Sequence, residues 1–333
     1  MPKLRMRQAI AAALADEMAE DDTVVLLGED VGTAEGVFKT SEGLAERFGP
    51  ARVRDTPISE MGFLGAAVGG AATGLRPVVE IMFAEFVGVA LDQLVTEAAK
   101  LRYLSRGEYP VPLVVRMSAG PGLGFGAQHS QTLETWFTNT SGLKVVSPSG
   151  PASAYSLLRA AIRDDDPVVF IEPRALYGVR AEVPVGAAAE LGRAEIVRAG
   201  AAVTVIGLGQ TVATALEVAP DVDAEVIDLA TLAPWDTTTV LESVARTGRL
   251  AIIEANPMTG GWGADIAATV HARMFGRLRA PVLRITCPDV PVPYSPELEA
   301  RYVPSADYVR AMIAELIARN EVPAAWWEEL VHD

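Results

Sequence analysis

The apolar and polar positions of this 333-residue chain alternate between two periods along most of its length. Short apolar runs of strand length are separated by segments in which apolar residues return at helical spacing. Strands are predicted at 23–27, 77–83, 111–118, 143–147, 167–172, 202–207, 224–228, 249–254 and 281–286. Helices are predicted near 6–19, 58–74, 87–105, 130–138, 151–164, 210–219, 236–246, 262–276 and 306–319. This alternation predicts parallel β-α-β units, and therefore an α/β fold with helices on both faces of each sheet.

The alternation is interrupted once, in the segment GVRAEVPVGAAAELG at residues 178–192. This segment contains proline and glycine and has no clean periodicity, which is typical of a linker. We therefore predict two doubly wound parallel-sheet domains, at 1–180 and 193–333, joined by a linker at 181–192. The length of the chain is sufficient for about two such cores.

The stretch from Arg54 to Phe86 places one carboxylate, Glu60, near the start of a helix rich in small residues. Thr56 and Pro57 predict an N-cap and a first helical position, so that the helix begins near Ile58. From position alone, Glu60 is an ordinary first-turn acid favoured by the helix dipole. One face of the helix lacks large side chains, which would let another backbone or a planar ligand approach it. The small residues recur at spacings of three and four; they are Gly62, Gly65, Ala66, Gly69, Gly70 and Thr73.

Two loops that follow predicted strands carry polar candidates. Glu29 comes shortly after the strand at 23–27, at its carboxyl end. The loop after strand 111–118 reads SAGPGLGFGAQHSQ and contains His129 among polar neighbours, as an acid or base would require. Without further information, a histidine with local hydrogen bonds is the simpler interpretation of His129.

The same loop matches a permissive dinucleotide-binding fingerprint through Gly122, Gly124 and Ala127. That fingerprint requires an acid at the end of the next strand, where this chain has LKVVSPS. A second match, Gly207-Leu-Gly209, has Val212 in place of the third glycine, although Asp228 ends the following strand. A nicotinamide-dependent oxidoreductase is therefore an alternative, while flexible strand-to-helix loops explain both matches more simply.

Composition excludes several other classes of protein. Acidic residues outnumber basic ones by 43 to 28, so the surface would repel nucleic acid and anionic membranes. The single Cys287 precludes an internal disulfide, and with three scattered histidines it gives no usual zinc spacing. No apolar segment has the length of a signal peptide or a membrane span, so we expect a soluble cytoplasmic protein. Phosphate-loop, HExxH, GxSxG and CxxC motifs are also absent from the sequence.

Four motifs, in this order and spacing, resemble those of the β subunit of the thiamine-diphosphate-dependent 2-oxo acid dehydrogenases: DTPISEMGF, GLRPVVEIMF, AQHSQ and GLKVVSPS. The resemblance implies a transketolase-like pyrimidine-binding domain followed by a transketolase carboxyl-terminal domain. It also implies oxidative decarboxylation of pyruvate or a branched-chain 2-oxo acid, with transfer of the acyl group to a lipoyl arm. A subunit of a dedicated pathway, an acetoin dehydrogenase subunit and a non-catalytic relative are alternatives.

The resemblance also assigns roles to individual residues. Glu60 would hydrogen-bond a ring nitrogen of the aminopyrimidine of thiamine diphosphate and stabilise its imino tautomer. Phe86 would pack on the pyrimidine face, and Glu29 would belong to the same cofactor-binding site. His129 would line the active-site channel and orient or protonate the substrate or the lipoyl group. A potassium ion would be bound by four backbone carbonyls, those of Leu113, Ala161, Asp164 and Asp166.

The partners follow from what the sequence lacks and from its charge. The family's Gly-Asp-Gly motif, which holds the diphosphate and magnesium, is absent, so the resemblance implies an α subunit and an assembly of two α and two β chains. Residues 297–333 carry eight acids and three arginines, which predicts docking of a basic domain of a lipoyl-bearing acyltransferase core. Trp326 and Trp327 pack on their own domain or anchor a partner. Asn139 and Ser141 replace the family's usual histidine and proline, which leaves the substrate open.

Overall fold

A computed structural model describes residues 1–328 of the chain. In chain order, the strands and helices are β1 (Lys3–Arg5), α1 (Met6–Glu20), β2 (Val24–Gly28), α2 (Leu44–Phe48), β3 (Val53–Asp55), α3 (Glu60–Ala72), β4 (Arg76–Ile81), α4 (Ala99–Leu104), β5 (Val114–Ala119), α5 (Glu134–Thr138), β6 (Lys144–Val146), α6 (Pro151–Arg163), β7 (Val168–Pro173), β8 (Arg180–Glu182), β9 (Glu195–Arg198), β10 (Val203–Gly207), α7 (Thr211–Val222), β11 (Ala224–Asp228), β12 (Thr231–Ala233), α8 (Thr237–Thr247), β13 (Leu250–Pro257), α9 (Gly263–Met274), β14 (Leu283–Cys287), α10 (Pro296–Tyr302) and α11 (Ala306–Arg319). Across residues 1–328, no helix combines the length and the apolar character needed to cross a bilayer.

The chain forms two compact units. The amino-terminal unit contains Met1–Gly120, Trp136–Leu191 and Thr231–Pro234. The carboxyl-terminal unit contains Pro121–Thr135, Gly192–Ala230 and the described residues from Trp235 onward. The domain limits given above from the sequence stay a prediction.

A seven-stranded sheet in the order β12-β6-β7-β5-β4-β2-β3 forms the centre of the amino-terminal unit. All neighbouring strands are parallel except the edge pair β12 and β6. Gly28 at the end of β2 is level with Asp55 of β3 and Glu80 of β4, so these three strand ends lie side by side. A side chain at Gly28 would begin 2.7 Å from the carbonyl oxygen of Glu80, which explains why glycine is needed there.

The carboxyl-terminal unit has a five-stranded sheet in the order β14-β13-β10-β11-β9. Its strands are parallel except for the edge pair β11 and β9. Apolar residues of β10 and β13, such as Val205 and Ile253, pack with α7 and α11 in a fully buried core that includes Ala215 and Leu316. The predicted α/β fold with two mainly parallel sheets is therefore confirmed.

Several local predictions differ from the structure. The predicted helix 87–105 forms later, because a 3₁₀ segment (Ala84–Val89) precedes a helical run at 91–104 that contains a π-helical segment (Gln93–Ala98) and α4. The predicted helix 130–138 is helical only from Glu134. Strand β8 pairs with β1 and extends into the start of the predicted linker, whose bounds stay a prediction. Thr56 is not a helix cap, because α3 begins at Glu60 and Ser59 takes the N-cap position. The N–H of Thr56 donates to the carbonyl of Gly28 (3.0 Å) and continues the pairing of β3 with β2.

Candidate active site

Two acidic side chains are buried where β2 ends and α3 begins. Glu29 directly follows β2 and Glu60 is the first residue of α3; 9% and 8% of their surfaces are exposed. The Oε1 atom of Glu29 is buried and has no hydrogen-bond partner within residues 1–328. Because buried acceptors in folded proteins are normally satisfied, an unpaired one indicates a place for a ligand or water. A ligand with an N–H group suits this acceptor.

The electrostatic environment of Glu29 favours its protonated form. Burial raises the pKa of Glu29, and the nearby charges of Glu60 and Asp30 raise it further. Glu29 can therefore hold a proton at a higher pH than an isolated surface carboxylate.

The loop that carries Glu29 is fixed by Asp55 at the end of β3. The Asp55 carboxylate accepts hydrogen bonds from the backbone N–H of Gly32 (2.6 Å) and from the N–H and hydroxyl of Thr33 (3.0 and 2.9 Å). Partial loss of water would raise the pKa of Asp55, but these hydrogen bonds outweigh that effect and lower it. Nearby, the buried hydroxyl oxygen of Thr56 has no hydrogen-bond partner in the described part of the chain.

Phe86 lies in the 3₁₀ segment after β4, within a cluster of aromatic rings. Its ring meets Phe83 edge to face, with centroids 5.8 Å apart. Phe83 in turn contacts Phe38 at 5.7 Å, and the guanidinium carbon of Arg174 lies 4.7 Å from the Phe83 centroid. These contacts restrict the orientation of Phe86, because edge-to-face and cation–π pairs have preferred geometries.

A buried ion network that the sequence analysis missed spans the neighbouring strands β4, β5 and β7. Arg116 donates to Glu80 (2.9 Å) and to Glu172 (2.7 Å), and the hydroxyl of Tyr177 donates to Glu172 (2.6 Å). Burial and the charge of Glu80 raise the pKa of Glu172, while Arg116 opposes this increase. The available sequence signal was a single charged residue inside each of three otherwise apolar strands.

The small-residue face of α3 divides into two parts. Gly65 faces the chain itself, since a side chain there would begin 2.9 Å from Oε1 of Gln93. Gly62, Ala66 and Gly69 are exposed, and a side chain at Gly69 would meet no described atom within 4 Å. This exposed part is flanked by Met61, which is 55% exposed. Part of the predicted bare face is therefore open in the single chain.

His129 lies in the carboxyl-terminal unit, in the glycine-rich loop that follows β5. The N–H groups of Gly122 and Gly124 donate to the two carboxylate oxygens of Glu299, at 2.9 and 3.0 Å. These are the glycines of the dinucleotide fingerprint, so an internal carboxylate already occupies the amides that a phosphate would need. The geometry therefore argues against dinucleotide binding at this loop.

The four carbonyls predicted to bind potassium lie in the amino-terminal unit. The oxygens of Leu113 and Ala161 accept bonds from Val168 (2.8 Å) and Asp164 (3.3 Å), respectively. The Asp164 oxygen accepts a bond from Arg76 Nη1 (3.0 Å). Because a carbonyl oxygen has two lone pairs, each of these three oxygens keeps the capacity to coordinate a cation.

The predicted docking surface belongs to the carboxyl-terminal unit. Glu297, Asp307 and Glu321 are exposed or half-buried there. Trp326 and Trp327 pack edge to face at 5.6 Å, and Trp326 is 41% exposed. The end of the predicted surface, residues 329–333, lies outside the described residues.

Comparison with known proteins places these features in a family context. A family model described as the transketolase pyrimidine-binding domain matches residues 2–180, and one described as the transketolase carboxyl-terminal domain matches residues 192–309. A solved split-gene transketolase, an inactive β4 tetramer, has a similar fold, with a TM-score of 0.77 over 95% of this chain and 98% of that chain. Its sequence identity of 23% supports the fold alone.

Curated relatives are similar over most of their length. The β subunit of acetoin:2,6-dichlorophenolindophenol oxidoreductase from Cupriavidus necator is 44% identical, covering 93% of this chain and 96% of that protein. The β subunit of 2-oxoisovalerate dehydrogenase from Pseudomonas aeruginosa is 44% identical, covering 88% and 90%. The mitochondrial pyruvate dehydrogenase E1 component subunit beta-2 of Oryza sativa subsp. japonica is 44% identical, covering 97% and 88%.

Proposed function

This chain belongs to the β subunits of the thiamine-diphosphate-dependent 2-oxo acid dehydrogenases, which have the transketolase-like fold, and on that premise we propose that Glu60, Glu29 and Phe86 form its half of a cofactor-binding site. The observation that carries this proposal is the buried pair of acids, in which Glu29 Oε1 has no donor within residues 1–328. An aminopyrimidine presents the ring nitrogen and N–H groups that such carboxylates bind.

In the proposed mechanism, the residues of this chain manage protons and orientation. Thiamine diphosphate, when bound, supplies the carbanion chemistry that decarboxylation of a 2-oxo acid requires. Glu60 would hold a proton for a hydrogen bond to the pyrimidine ring nitrogen, in a site from which burial excludes most water. Phe86, whose ring packs on Phe83, would contact the face of the pyrimidine. His129 orients or protonates the substrate or the acyl acceptor.

The proposed reaction is oxidative decarboxylation of pyruvate or a branched-chain 2-oxo acid, followed by acyl transfer to a lipoyl group. Relatives named for pyruvate dehydrogenase and 2-oxoisovalerate dehydrogenase support this choice. A relative named for acetoin oxidation, at the same 44% identity, makes acetoin the second candidate substrate. Steady-state assays of the assembled enzyme with pyruvate, 2-oxoisovalerate and acetoin distinguish these substrates, since the preferred one has the highest kcat/KM.

The proposed partners are an α subunit, in an assembly of two α and two β chains, and a lipoyl-bearing acyltransferase core. The exposed strip of Gly62, Ala66 and Gly69 offers a surface on which another backbone can pack closely. The α subunit would also hold the diphosphate and its magnesium. The acidic residues beyond 296 would attract a basic docking domain of the core.

We also propose that potassium binds to the carbonyls of Leu113, Ala161, Asp164 and Asp166. The ion would add only modestly to the stability of this region, because the guanidinium of Arg76 already provides a positive charge beside the carbonyl of Asp164. Thermal unfolding in potassium chloride and in choline chloride at equal ionic strength tests the site. A higher melting temperature in potassium is expected, and equal temperatures would contradict the proposal.

Glu60→Gln tests the central role of Glu60. The amide keeps the shape of the side chain but cannot share a proton in the same way, so turnover of the assembled enzyme should fall about 10²–10⁴-fold. The matched control is Glu46→Gln, an exposed first-turn acid of α2, which should keep normal turnover. Both variants should retain the melting temperature of the parent within a few degrees. Near-normal turnover of Glu60→Gln would remove this residue from the mechanism.

A further inference from the structure

Glu299 is a buried carboxylate with no assigned role in the mechanism above. It lies on α10 and is 6% exposed. Both of its oxygens accept hydrogen bonds from one loop. Oε1 accepts the N–H of Gly122, and Oε2 accepts the N–H of Gly124. These glycines lie 177 and 175 residues earlier in the chain. Hydrogen bonds to a charged acceptor are stronger than neutral ones. Glu299 therefore joins α10 firmly to the glycine-rich loop.

The glycine-rich loop has little intrinsic preference for its conformation. Gly122, Gly124 and Gly126 have φ angles of 120°, 72° and 69°, in the left-handed region that glycine adopts without steric cost. The neighbouring residue Leu123 is 53% exposed, so apolar packing does little to anchor this turn. The conformation must therefore be imposed by contacts from outside the loop.

The segment leading into α10 provides a second contact on the same loop. The ring of Tyr294 lies so close to Gly126 that a side chain at Gly126 would begin 2.6 Å from ring carbon Cδ2. From Gly126 the chain turns directly toward His129, whose N–H donates to the Gly126 carbonyl at 3.3 Å. Tyr294 is itself 76% exposed, so its contact limits the space at Gly126, while Glu299 supplies the hydrogen bonds that hold the part of the loop before His129.

We infer that Glu299 is a positioning residue that acts through His129. Its two hydrogen bonds fix the backbone from Gly122 to Gly124, so that the imidazole is presented from a loop of defined shape. This inference rests on the proposed role of His129 at the substrate or acyl acceptor. A small displacement of such a group lowers the rate strongly, because reaction requires close alignment.

The variant Glu299→Gln tests the inference with little change in shape. An amide nitrogen cannot accept an N–H, so one of the two loop hydrogen bonds is lost. In the assembled enzyme, kcat for acyl transfer to a lipoyl domain should fall roughly tenfold to a hundredfold. The KM for the 2-oxo acid should change less than kcat. The matched control is Glu242→Gln on α8, which makes the same charge change at an exposed helical position outside the predicted docking surface and should leave kcat unchanged.

A double-mutant cycle separates positioning from a general structural effect. If Glu299 acts through His129, the variant that combines Glu299→Gln with His129→Ala should be no slower than His129→Ala alone. Rate losses that multiply in the double variant would overturn the inference, as would wild-type kcat in Glu299→Gln. Hydrogen exchange supplies a second measurement, in which the amides of Gly122 and Gly124 should exchange faster in Glu299→Gln and at the wild-type rate in Glu242→Gln. Unchanged exchange in Glu299→Gln would show that the two hydrogen bonds to Glu299 do not order the loop.

The outcomes also distinguish this inference from the proposed function. If His129→Ala keeps full activity, the proposed role of His129 is wrong, and the positioning role of Glu299 falls with it. Faster exchange of the two glycine amides would then still establish Glu299 as the residue that orders the loop. If His129→Ala is slow while Glu299→Gln is normal, the proposed function stands and the positioning inference fails.

Discussion

Glu29 illustrates how a single residue can oppose stability at a functional site. Its carboxylate is buried beside Glu60, and its Oε1 has no hydrogen-bond partner in residues 1–328. Burial first, and then the charges of Glu60 and Asp30, raise its pKa in the folded chain. A group whose pKa is higher in the folded state than in the unfolded state contributes stability at low pH, and this stability is lost as pH rises through the folded pKa. Ionised Glu29 therefore destabilises the fold at neutral pH.

The variant Glu29→Gln should be more stable than the parent at pH 7, because the amide carries no charge. The gain should shrink as pH falls and vanish below the ordinary glutamate pKa of about 4.3, where Glu29 is protonated in both states. Urea midpoints of the two proteins between pH 4 and pH 8 measure this difference, with the exposed Glu46→Gln as control. Turnover of the assembled enzyme should fall, as expected when a destabilising residue serves function. A difference in midpoint that does not vary with pH would contradict this account of Glu29.

Single residues differ in how well the sequence alone identifies them. Glu60 and His129 lie in short contiguous motifs, so the resemblance proposes a role for each of them, and these roles stay predictions. Glu299 contacts a loop 175 or more residues away, and no local pattern encodes such a contact. Thr56 and Pro57 together suit the start of a helix, but the chain continues the pairing of β3 with β2 through the N–H of Thr56, and the helix begins later, at Glu60. Sequence neighbours thus predict the structural role of a residue reliably only where contacts with distant parts of the chain do not impose a different one.

At the scale of elements, β4, β5 and β7 are linked by charge as well as by backbone hydrogen bonds. Arg116 of β5 lies between Glu80 of β4 and Glu172 of β7, and all three are buried. Burial disfavours the charged guanidinium, but the charges of Glu172 and Glu80 outweigh this and raise the pKa of Arg116. Arg116 therefore stays charged, and removing it would leave two buried carboxylates facing each other.

We predict that Arg116→Met lowers the free energy of unfolding by about 3–5 kcal/mol, the cost of leaving a buried charge without its partner. The comparison variant Arg116→Lys keeps the positive charge but loses the fork that reaches both carboxylates, so its loss should be smaller. Urea unfolding followed by circular dichroism measures both variants. If the methionine variant were as stable as the parent, the network would contribute specificity rather than stability.

Elements with clear periodicity were predicted and short ones were missed. The long apolar strands and the amphipathic helices appear within a few residues of their predicted positions, for example α6 and β10. Strands β3, β9 and β12 have only three or four residues, too few to show a period, and exist because a neighbouring strand offers hydrogen bonds. The predicted helix 87–105 has helical composition, but π-helical and 3₁₀ turns interrupt it.

At the scale of the whole molecule, the chain has features that only a partner explains. Its net charge is −15, and it lacks any motif that would hold a diphosphate. In the exposed strip of Gly62, Ala66 and Gly69, the two glycines lower the helical propensity of α3. Exposed Ile58 and Met61, at 86% and 55%, lie beside this strip. A helix that is bare and apolar toward solvent is expected at an interface that buries it.

Substitution at Gly69 separates the stability of the single chain from assembly. A side chain there meets no described atom within 4 Å, so neither Gly69→Ala nor Gly69→Leu should clash with its own chain. Gly69→Ala should stabilise the isolated chain by about 0.5–1 kcal/mol, because alanine loses less backbone entropy in a helix than glycine. Gly69→Leu should leave the isolated chain folded but weaken binding of the α subunit about tenfold or more, since the larger side chain prevents close backbone packing.

The control is Ala213→Leu, a small-to-large change at an exposed position of α7. Analytical ultracentrifugation of each variant with the α subunit measures assembly, and unimpaired assembly of Gly69→Leu would show that the bare face of α3 is not where the partner packs.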